Sequence, residues 1–393
     1  MNLSPHSGFS GSGGGAATGT LQEPELAAAG EGITGLALWA VVFAGGIGSR
    51  FWPLSTPERP KPLLALVTGN SLLEDTVGRF QPLIPPERVI VVTSRDIAPA
   101  IRGAVRDLPE ENILVEPRPL GTAAALAWGA QEVARRAGAE TPVCAMHSDL
   151  AIGFPGAFRD ALGRAAAVAV REGAIVSFGV RPTRPEPSFG YVRVGAPLHA
   201  DVTLSAGGAF HVAGFIEKPP LADATALGAG GALWHSGIIV GSVKTILDKL
   251  GRYTPEIAPG LDALRSGNLP AFAGMIRSVS IERGLLERAV RLLVLLADFG
   301  WDDVGTWASL RRARDLDDDG NGARGDTHFV DAASNVVHTE SGATVLFGVS
   351  RLLVVVLPGL TFITTLERAA DLKPLLDSLP ASLRANPSGP RTE

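Results

Sequence analysis

Apolar residues in this chain gather into short runs separated by longer, often Ala-rich stretches. Leu38–Ala44, Arg88–Thr93, Ile113–Val115, Pro142–Met146 and Ala174–Gly179 read as buried strands. Ser71–Gln81, Asp96–Asp107, Thr122–Arg136 and Phe158–Glu172 read as helices. Strand–helix alternation predicts an α/β domain with a doubly wound, mostly parallel sheet covered on both faces. Ligands bind such sheets beyond the carboxyl ends of the strands.

After residue 180 the alternation breaks. Tyr191–Val194, Phe210–Ile216 and Ile238–Val240 read as strands of a second, mixed layer that could lie over the crevice. Ile281–Ala297 reads as a helix, because Leu285, Leu286, Ala289, Val290 and Leu293 follow helical spacing. The Asp/Gly/Asn-rich stretch Asp315–Gly325 reads as a linker. Five short runs follow near Phe329, Val336, Val345, Val354 and Ile363, which predicts a small C-terminal β module, closed by a helix at Ala369–Leu376. The organisation expected is a flexible extension over 1–35, a main domain over 36–314 and the β module over 326–380, with a frayed tail from Asn386.

Composition narrows the class. The chain has 393 residues, enough for two domains. It is 46% hydrophobic and 19% charged, as suits a globular protein. A net charge of −5 leaves no basic footprint for nucleic acid. One cysteine, Cys144, excludes an intrachain disulfide and a cysteine zinc site, and its apolar neighbours place it in the core. A reducing, cytoplasmic setting is the simplest expectation. The first 35 residues hold nine glycines, and no Lys or Arg precedes Arg50, which argues against a secretory signal. No apolar run reaches the roughly 18–20 residues needed to cross a bilayer.

The chemistry gathers at the end of the first strand. Val41-Val42-Phe43-Ala44 runs into Gly45-Gly46-Ile47-Gly48-Ser49-Arg50, then Pro53-Leu54 and Pro60-Lys61-Pro62. Glycines let backbone N–H groups approach an anion, and Arg50 and Lys61 add two cations. This is equipment for a polyphosphate. A Walker loop does not fit, because no Lys-Ser/Thr follows the glycines; nor does a dinucleotide fingerprint, because Phe51 stands where its third Gly belongs.

The pattern Gly-Gly-x-Gly-Ser-Arg with Pro-Leu and Pro-Lys-Pro resembles the signature of sugar-nucleotide pyrophosphorylases. Further segments resemble the mannose-1-phosphate guanylyltransferases of that family, in its order. They are Glu116-Pro117-Arg118-Pro119-Leu120-Gly121-Thr122, Ser177–Glu186 with Phe189-Gly190-Tyr191-Val192, Phe215-Ile216-Glu217-Lys218-Pro219, Leu233-Trp234-His235-Ser236-Gly237 and Phe299–Trp307. The resemblance covers roughly residues 38–376.

It implies transfer of a guanylyl group from GTP to mannose 1-phosphate, with Mg²⁺, by in-line attack on the α-phosphorus and loss of pyrophosphate. Arg50 and Lys61 would be catalytic. Ala44, Gly45, Gly46, Gly48, Ser49, Glu116, Gly121 and Thr122 would hold the nucleotide. Gly190, Glu217, Lys218 and His235 would hold the sugar phosphate. Asp149 and Asp303 would hold the metal, two hard carboxylates that suit Mg²⁺. Each lies at the end of an apolar run, which would place both on strands of the central sheet. The C-terminal module would resemble the family's partial β-helix. With fewer than 80 residues after Gly325, no fused isomerase domain is expected. Membrane and nucleic-acid partners are not expected, and a homodimer is left open.

Three positions depart from the family pattern: Leu150 replaces a His, His235 an Asn, and Glu282-Arg283 an Asp-Tyr. At His235 an amide gives way to a ring expected to titrate near neutrality. All three fall near the sugar side, so the resemblance bears on nucleotidyl transfer more directly than on the sugar. Another sugar-1-phosphate nucleotidyltransferase, using glucose 1-phosphate or a different NTP, is the enzymatic rival, and a non-catalytic ligand-sensing paralogue the other. Joint retention of Arg50, Lys61, Asp149 and Asp303 argues against the latter.

Overall fold

The computed structural model describes residues 37–199 and 207–385. The extension expected over 1–35 and the tail from Asn386 lie outside the described residues.

Among the described residues, eleven strands come before residue 304: β1 (Trp39–Phe43), β2 (Val89–Ser94), β3 (Ile113–Glu116), β4 (Pro142–His147), β5 (Leu150–Ile152), β6 (Ile175–Val180), β7 (Gly190–Pro197), β8 (Phe210–Glu217), β9 (Leu233–Ser242), β10 (Leu292–Leu296) and β11 (Trp301–Asp303). Nine of them form one sheet in the order β3-β2-β1-β4-β9-β6-β10-β8-β7. β1 lies inside it, and all five of its residues are buried. Helices cover both faces. Thr122–Ala137 presents Ala123, Ala124, Ala127 and Ala130 to the sheet, side chains small enough for close approach. Pro155–Glu172 does the same on the other face through Ala161, Ala165 and Ala169. Leu72–Arg79 starts where a capping box forms, with Ser71 and Glu74 each satisfying the other's backbone N–H.

Two sequence expectations need correction here. The sheet is mixed rather than mostly parallel. β3, β2, β1 and β4 run parallel, as do β6 and β10. β9 is antiparallel to both β4 and β6, and β8 pairs antiparallel with β10 and β7. The strands expected in a separate layer (191–194, 210–216, 238–240) therefore belong to the main sheet. Local runs encode strand propensity, whereas partner choice is long-range. The helix expected over Ile281–Ala297 is also wrong. A π turn spans Glu282–Leu286, Arg291 takes φ 57°, and Leu292–Leu296 enters the sheet as β10. Val290, counted on the helical apolar face, is exposed. A five-residue apolar run fits a strand buried on both faces as well as a helix.

β5 and β11 form a small antiparallel pair outside the main sheet. After residue 320 come β12 (Gly322–Arg324), β13 (Thr327–Val330), β14 (Val336–Thr339), β15 (Thr344–Phe347), β16 (Leu352–Leu357) and β17 (Leu360–Thr365). Five of these match the runs read from the sequence; β12 was not expected. β12, β14 and β16 stack in parallel, β17 closes that sheet antiparallel, and β13 pairs parallel with β15. This stack shares a core with the segment after the glycine loop: Phe51, Trp52, Leu54 and Leu64 pack with Trp307, Val336, Leu353 and Val355. Polar ties reinforce it. Arg314, buried, donates to the carbonyls of Leu66 and Val337, and Arg59 pairs with Glu340 at 2.7 Å. No helix among the described residues is long and apolar enough to cross a membrane.

Candidate active site

The carboxyl ends of β1, β3 and β4 supply Phe43, Glu116 and His147 to a cavity of about 520 Å³. Ala44, Gly45, Gly46, Gly48, Ser49, Arg50, Lys61, Gly121 and Thr122 complete its working wall. Gly48 has φ 78°, and a Cβ there would stand 2.3 Å from Lys61 Cβ. Only glycine meets both conditions. The Lys61 backbone N–H donates to Ile47 O at 2.9 Å, and Ser55 Oγ donates to Gly48 O at 2.6 Å. The glycine loop and the Pro-Lys-Pro segment are therefore one unit. Arg50 is exposed at the rim, and no hydrogen bond or ion pair ties it down among the described residues.

Glu116, at the end of β3, is buried with its Oε1 unpartnered. Burial pushes its carboxyl up from 4.5 to about 7, against a backbone hydrogen bond from Leu120. Its Oε2 borders the loop, 3.8 Å from where a Cβ on Gly45 would stand, an ordinary contact distance. An unpaired acceptor in a cleft calls for a donor from a ligand.

Lys61 is buried and donates from Nζ to Asp149 Oδ2 at 2.5 Å. Asp149 follows β4 in the turn to β5 rather than closing a central strand. Asp303 ends β11, and its Cα is in register with that of Leu150, the residue after Asp149. The expectation that both carboxylates ride on central-sheet strands is corrected: the small β5–β11 pair brings them together. Burial would raise Asp149, but Lys61 and His147 outweigh it and hold the carboxyl below its ordinary value. Asp303 is pushed up to about 6 by burial and by the Asp149 charge. Two hard oxygen donors whose ionised forms oppose each other fit a small divalent cation.

A second cavity of about 380 Å³ adjoins the first, with Gly190, Glu217, Lys218, His235, Glu282 and Asp303 in its wall. Arg50, Lys61, Thr122, His147, Asp149 and Gly305 line both. A Cβ on Gly190 would come within 2.8 Å of Glu217 Oε2, so glycine admits that carboxylate. Burial raises the Glu217 carboxyl, against an ion pair to Lys218 at 2.8 Å. Lys218 holds φ 49°, a left-handed conformation costing about 1 kcal/mol and typical of residues held for a site. His235 is buried, with Nδ1 2.9 Å from Ser177 Oγ. Burial lowers it to about 4, so the ring is neutral at physiological pH. The expectation that it titrates near neutrality is corrected.

Every site residue read from the sequence lines one of the two cavities. Two titratable residues that line them were missed. His147, at the end of β4, stands between the cavities. Its signal was an imidazole two residues before Asp149, just past the Pro142–Met146 run. Glu282 was noted only as a departure, because the helix expected there hid the turn that points it inward.

The chain matches the nucleotidyl transferase family model over residues 39–320. Mannose-1-phosphate guanylyltransferase ManC of Salmonella typhimurium is 32% identical over 364 residues, 88% of this chain and 74% of the relative. The mannose-1-phosphate guanylyltransferase of Escherichia coli K12 is 31% identical over 361 residues, with the same coverage. A crystal structure from Thermus thermophilus, described as a mannose-1-phosphate geranyltransferase, superposes with a TM-score of 0.79 at 32% identity, over 87% of this chain and 99% of that one.

Proposed function

The chain belongs to the nucleotidyl transferase family, among the mannose-1-phosphate guanylyltransferases, and from that footing we propose that it joins GTP and mannose 1-phosphate into GDP-mannose with release of pyrophosphate. The observation that carries this reading is the shared wall of the two cavities. One would take a nucleotide and the other a sugar phosphate, and Lys61, Arg50 and Asp149 stand at their junction.

A sugar phosphate oxygen attacks the α-phosphorus in line, and the β- and γ-phosphates leave. No covalent nucleophile is needed; the protein aligns two anions and stabilises the charge that develops. The glycine loop offers backbone N–H groups to the triphosphate. Arg50, untethered at the rim, can fork onto the leaving pyrophosphate. Lys61, fixed against Gly48, places a point charge where the attacking and transferred phosphates meet. Lys218 faces the sugar phosphate, and Glu217 accepts from sugar hydroxyls. Asp149 and Asp303 would hold Mg²⁺, which would supply further neutralisation of phosphate charge when bound.

Glu116 supports guanine. Guanine presents adjacent N–H groups on its pairing edge, and a buried carboxylate with a free oxygen accepts both; adenine presents a ring acceptor there. The C-terminal strands β12 to β17, read as a partial β-helix, would brace the glycine loop through the shared core.

Pyrophosphate release from purified protein, measured over four NTPs and several hexose 1-phosphates, tests the reading. GTP with mannose 1-phosphate should lead. A lead by another pair would reassign the substrates, and no turnover with any pair would favour a ligand-sensing role.

A further inference from the structure

The sugar-side cavity contains two polar atoms that face each other without bonding. His235 Nε2 and Glu282 Oε1 are 4.0 Å apart, beyond hydrogen-bond range, and both side chains line the cavity. Of the other carboxylates there, Glu217 is engaged by Lys218 at 2.8 Å and Asp149 by Lys61 at 2.5 Å, and Asp303 stands with Asp149 at the candidate metal position. We infer that His235 and Glu282 form a paired donor and acceptor that reads one hydroxyl of the sugar. This rests on the sugar-phosphate reading of that cavity and goes on to assign its selectivity.

The direction of the pair follows from its surroundings. The ring is buried and neutral, so one of its nitrogens carries a proton. Glu282 is held below its ordinary value although burial would raise it, and hydrogen bonds from its own backbone N–H and from Ser280 favour the carboxylate without any charge on His235. A carboxylate beside Nε2 draws the proton to that nitrogen. The Ser177 hydroxyl, 2.9 Å from Nδ1, then donates to the bare Nδ1 and locks the tautomer. The cavity therefore meets an Nε2–H donor next to a carboxylate acceptor. An oxygen about 2.8 Å from each would span a 4.0 Å gap at an angle of roughly 90°. A hydroxyl fits, because it accepts from the ring and donates to the carboxylate. An ether or carbonyl oxygen can only accept.

Local backbone irregularity places both groups. Gly179 pairs with His235, whereas Ser177 pairs with Ile239, so β9 carries extra residues around Ser236 and Gly237, the latter at φ 75°. This bulge sets the ring beside Ser177. Glu282 begins the π turn Glu282–Leu286, and π turns recur at functional sites. The preceding residue, Ile281, donates its N–H to Thr122 Oγ1 at 3.0 Å, which ties the turn to a residue lining both cavities. Two of the three departures from the family pattern, His235 and Glu282, are thus neighbours in space.

A site built around one hydroxyl rejects the analogue that lacks it, because both buried partners are left unpaired. The test is kcat/KM for each monodeoxy form of mannose 1-phosphate with GTP, in the wild type, Glu282→Ala and His235→Phe, with folding checked by thermal melts. One deoxy form should be about 10²-fold worse for the wild type, and that penalty should fall to within about 5-fold in both variants while the other penalties hold. If either variant does not fold, Ser177→Ala, which frees the tautomer and keeps the ring, should shrink the same penalty alone. Penalties that stay equal between wild type and every folded variant overturn the inference while leaving guanylyl transfer standing. No turnover of mannose 1-phosphate by the wild type overturns guanylyl transfer to this sugar, and this inference with it.

Discussion

Replacing Glu116 by glutamine should make the protein more stable and a worse enzyme. The side chain keeps its shape and loses its charge. The structure gives the stability side. Burial raises the carboxyl from 4.5 to about 7. An acid whose folded-state pKa is raised binds more protons folded than unfolded between those values, so stability falls as pH rises from 4.5 to 7. The full shift corresponds to about 3 kcal/mol, and about 1–2 kcal/mol once solvent screening at the cavity mouth is allowed for. For a chain of 393 residues that is a Tm increase of about 1–2 °C at pH 8, vanishing near pH 4.5. The activity side follows from the free Oε1. A carboxylate can accept two N–H groups from guanine, whereas the amide accepts one and turns its own NH₂ toward the other. Losing one charge-assisted hydrogen bond and gaining a donor clash costs about 2–3 kcal/mol, roughly 30- to 150-fold in kcat/KM for GTP. The assays are melts at pH 4.5 and 8 and kcat/KM for GTP and UTP. An unchanged or lower Tm at pH 8, together with an unchanged GTP-to-UTP ratio, would refute the reasoning on both sides.

Lys61→Ala and Arg50→Ala should each cut turnover by about 10²–10³-fold. They should differ in melts: losing Lys61 strands Asp149 and lowers Tm, while losing the untethered Arg50 leaves Tm unchanged. Because His235 is lowered to about 4, it should impose no inflection on kcat/KM between pH 5.5 and 8. A step near pH 6.5 that disappears in His235→Asn would contradict that. Arg314→Met leaves the carbonyls of Leu66 and Val337 without their partner and should destabilise by about 2–4 kcal/mol in denaturant unfolding; a change under 0.5 kcal/mol would show that water replaces the guanidinium.

Legibility in the sequence followed the range of the interaction. The glycine loop and the strand before it could be read because neighbours in sequence make them: β1 is an unbroken apolar run with Val41 and Val42 at its centre, and Gly48 is required by its own φ. Even the link from Gly48 to Lys61 spans only 13 residues. The insertion of β9 between β4 and β6 could not be read, because nothing in Ile238–Val240 names its partners. Leu292–Leu296 failed for a related reason, since five apolar residues in a row satisfy either period. The site polar groups were misjudged where burial decides their state. The sequence alone gives His235 the ordinary pKa of its residue type, and only burial in the enclosing sheet, against Phe215, makes it a neutral ring.

The pairing of Lys61 with Asp149 explains how such a site holds its cations before phosphate binds. A pocket for a triphosphate and a sugar phosphate that held only cations would repel itself before its ligands arrived. Here Arg50 and Lys61 are matched by Asp149 and Asp303, so the four formal charges cancel. The balance is local as well as formal. Lys61 and Asp149 bond directly, and Asp303, pushed up to about 6, carries its charge least comfortably. Arriving phosphates compete with Asp149 for Lys61, and a divalent cation competes with Lys61 for the carboxylates. Each ligand thus replaces an interaction already present rather than filling an uncompensated field. Asp149→Asn should therefore do more than weaken metal binding. It should leave Lys61 without a counter-charge in the empty protein and strengthen nucleotide binding measured without Mg²⁺, while lowering turnover with it. Weaker metal-free GTP binding in Asp149→Asn would show that the ion pair holds Lys61 in place instead of competing with the phosphates for it.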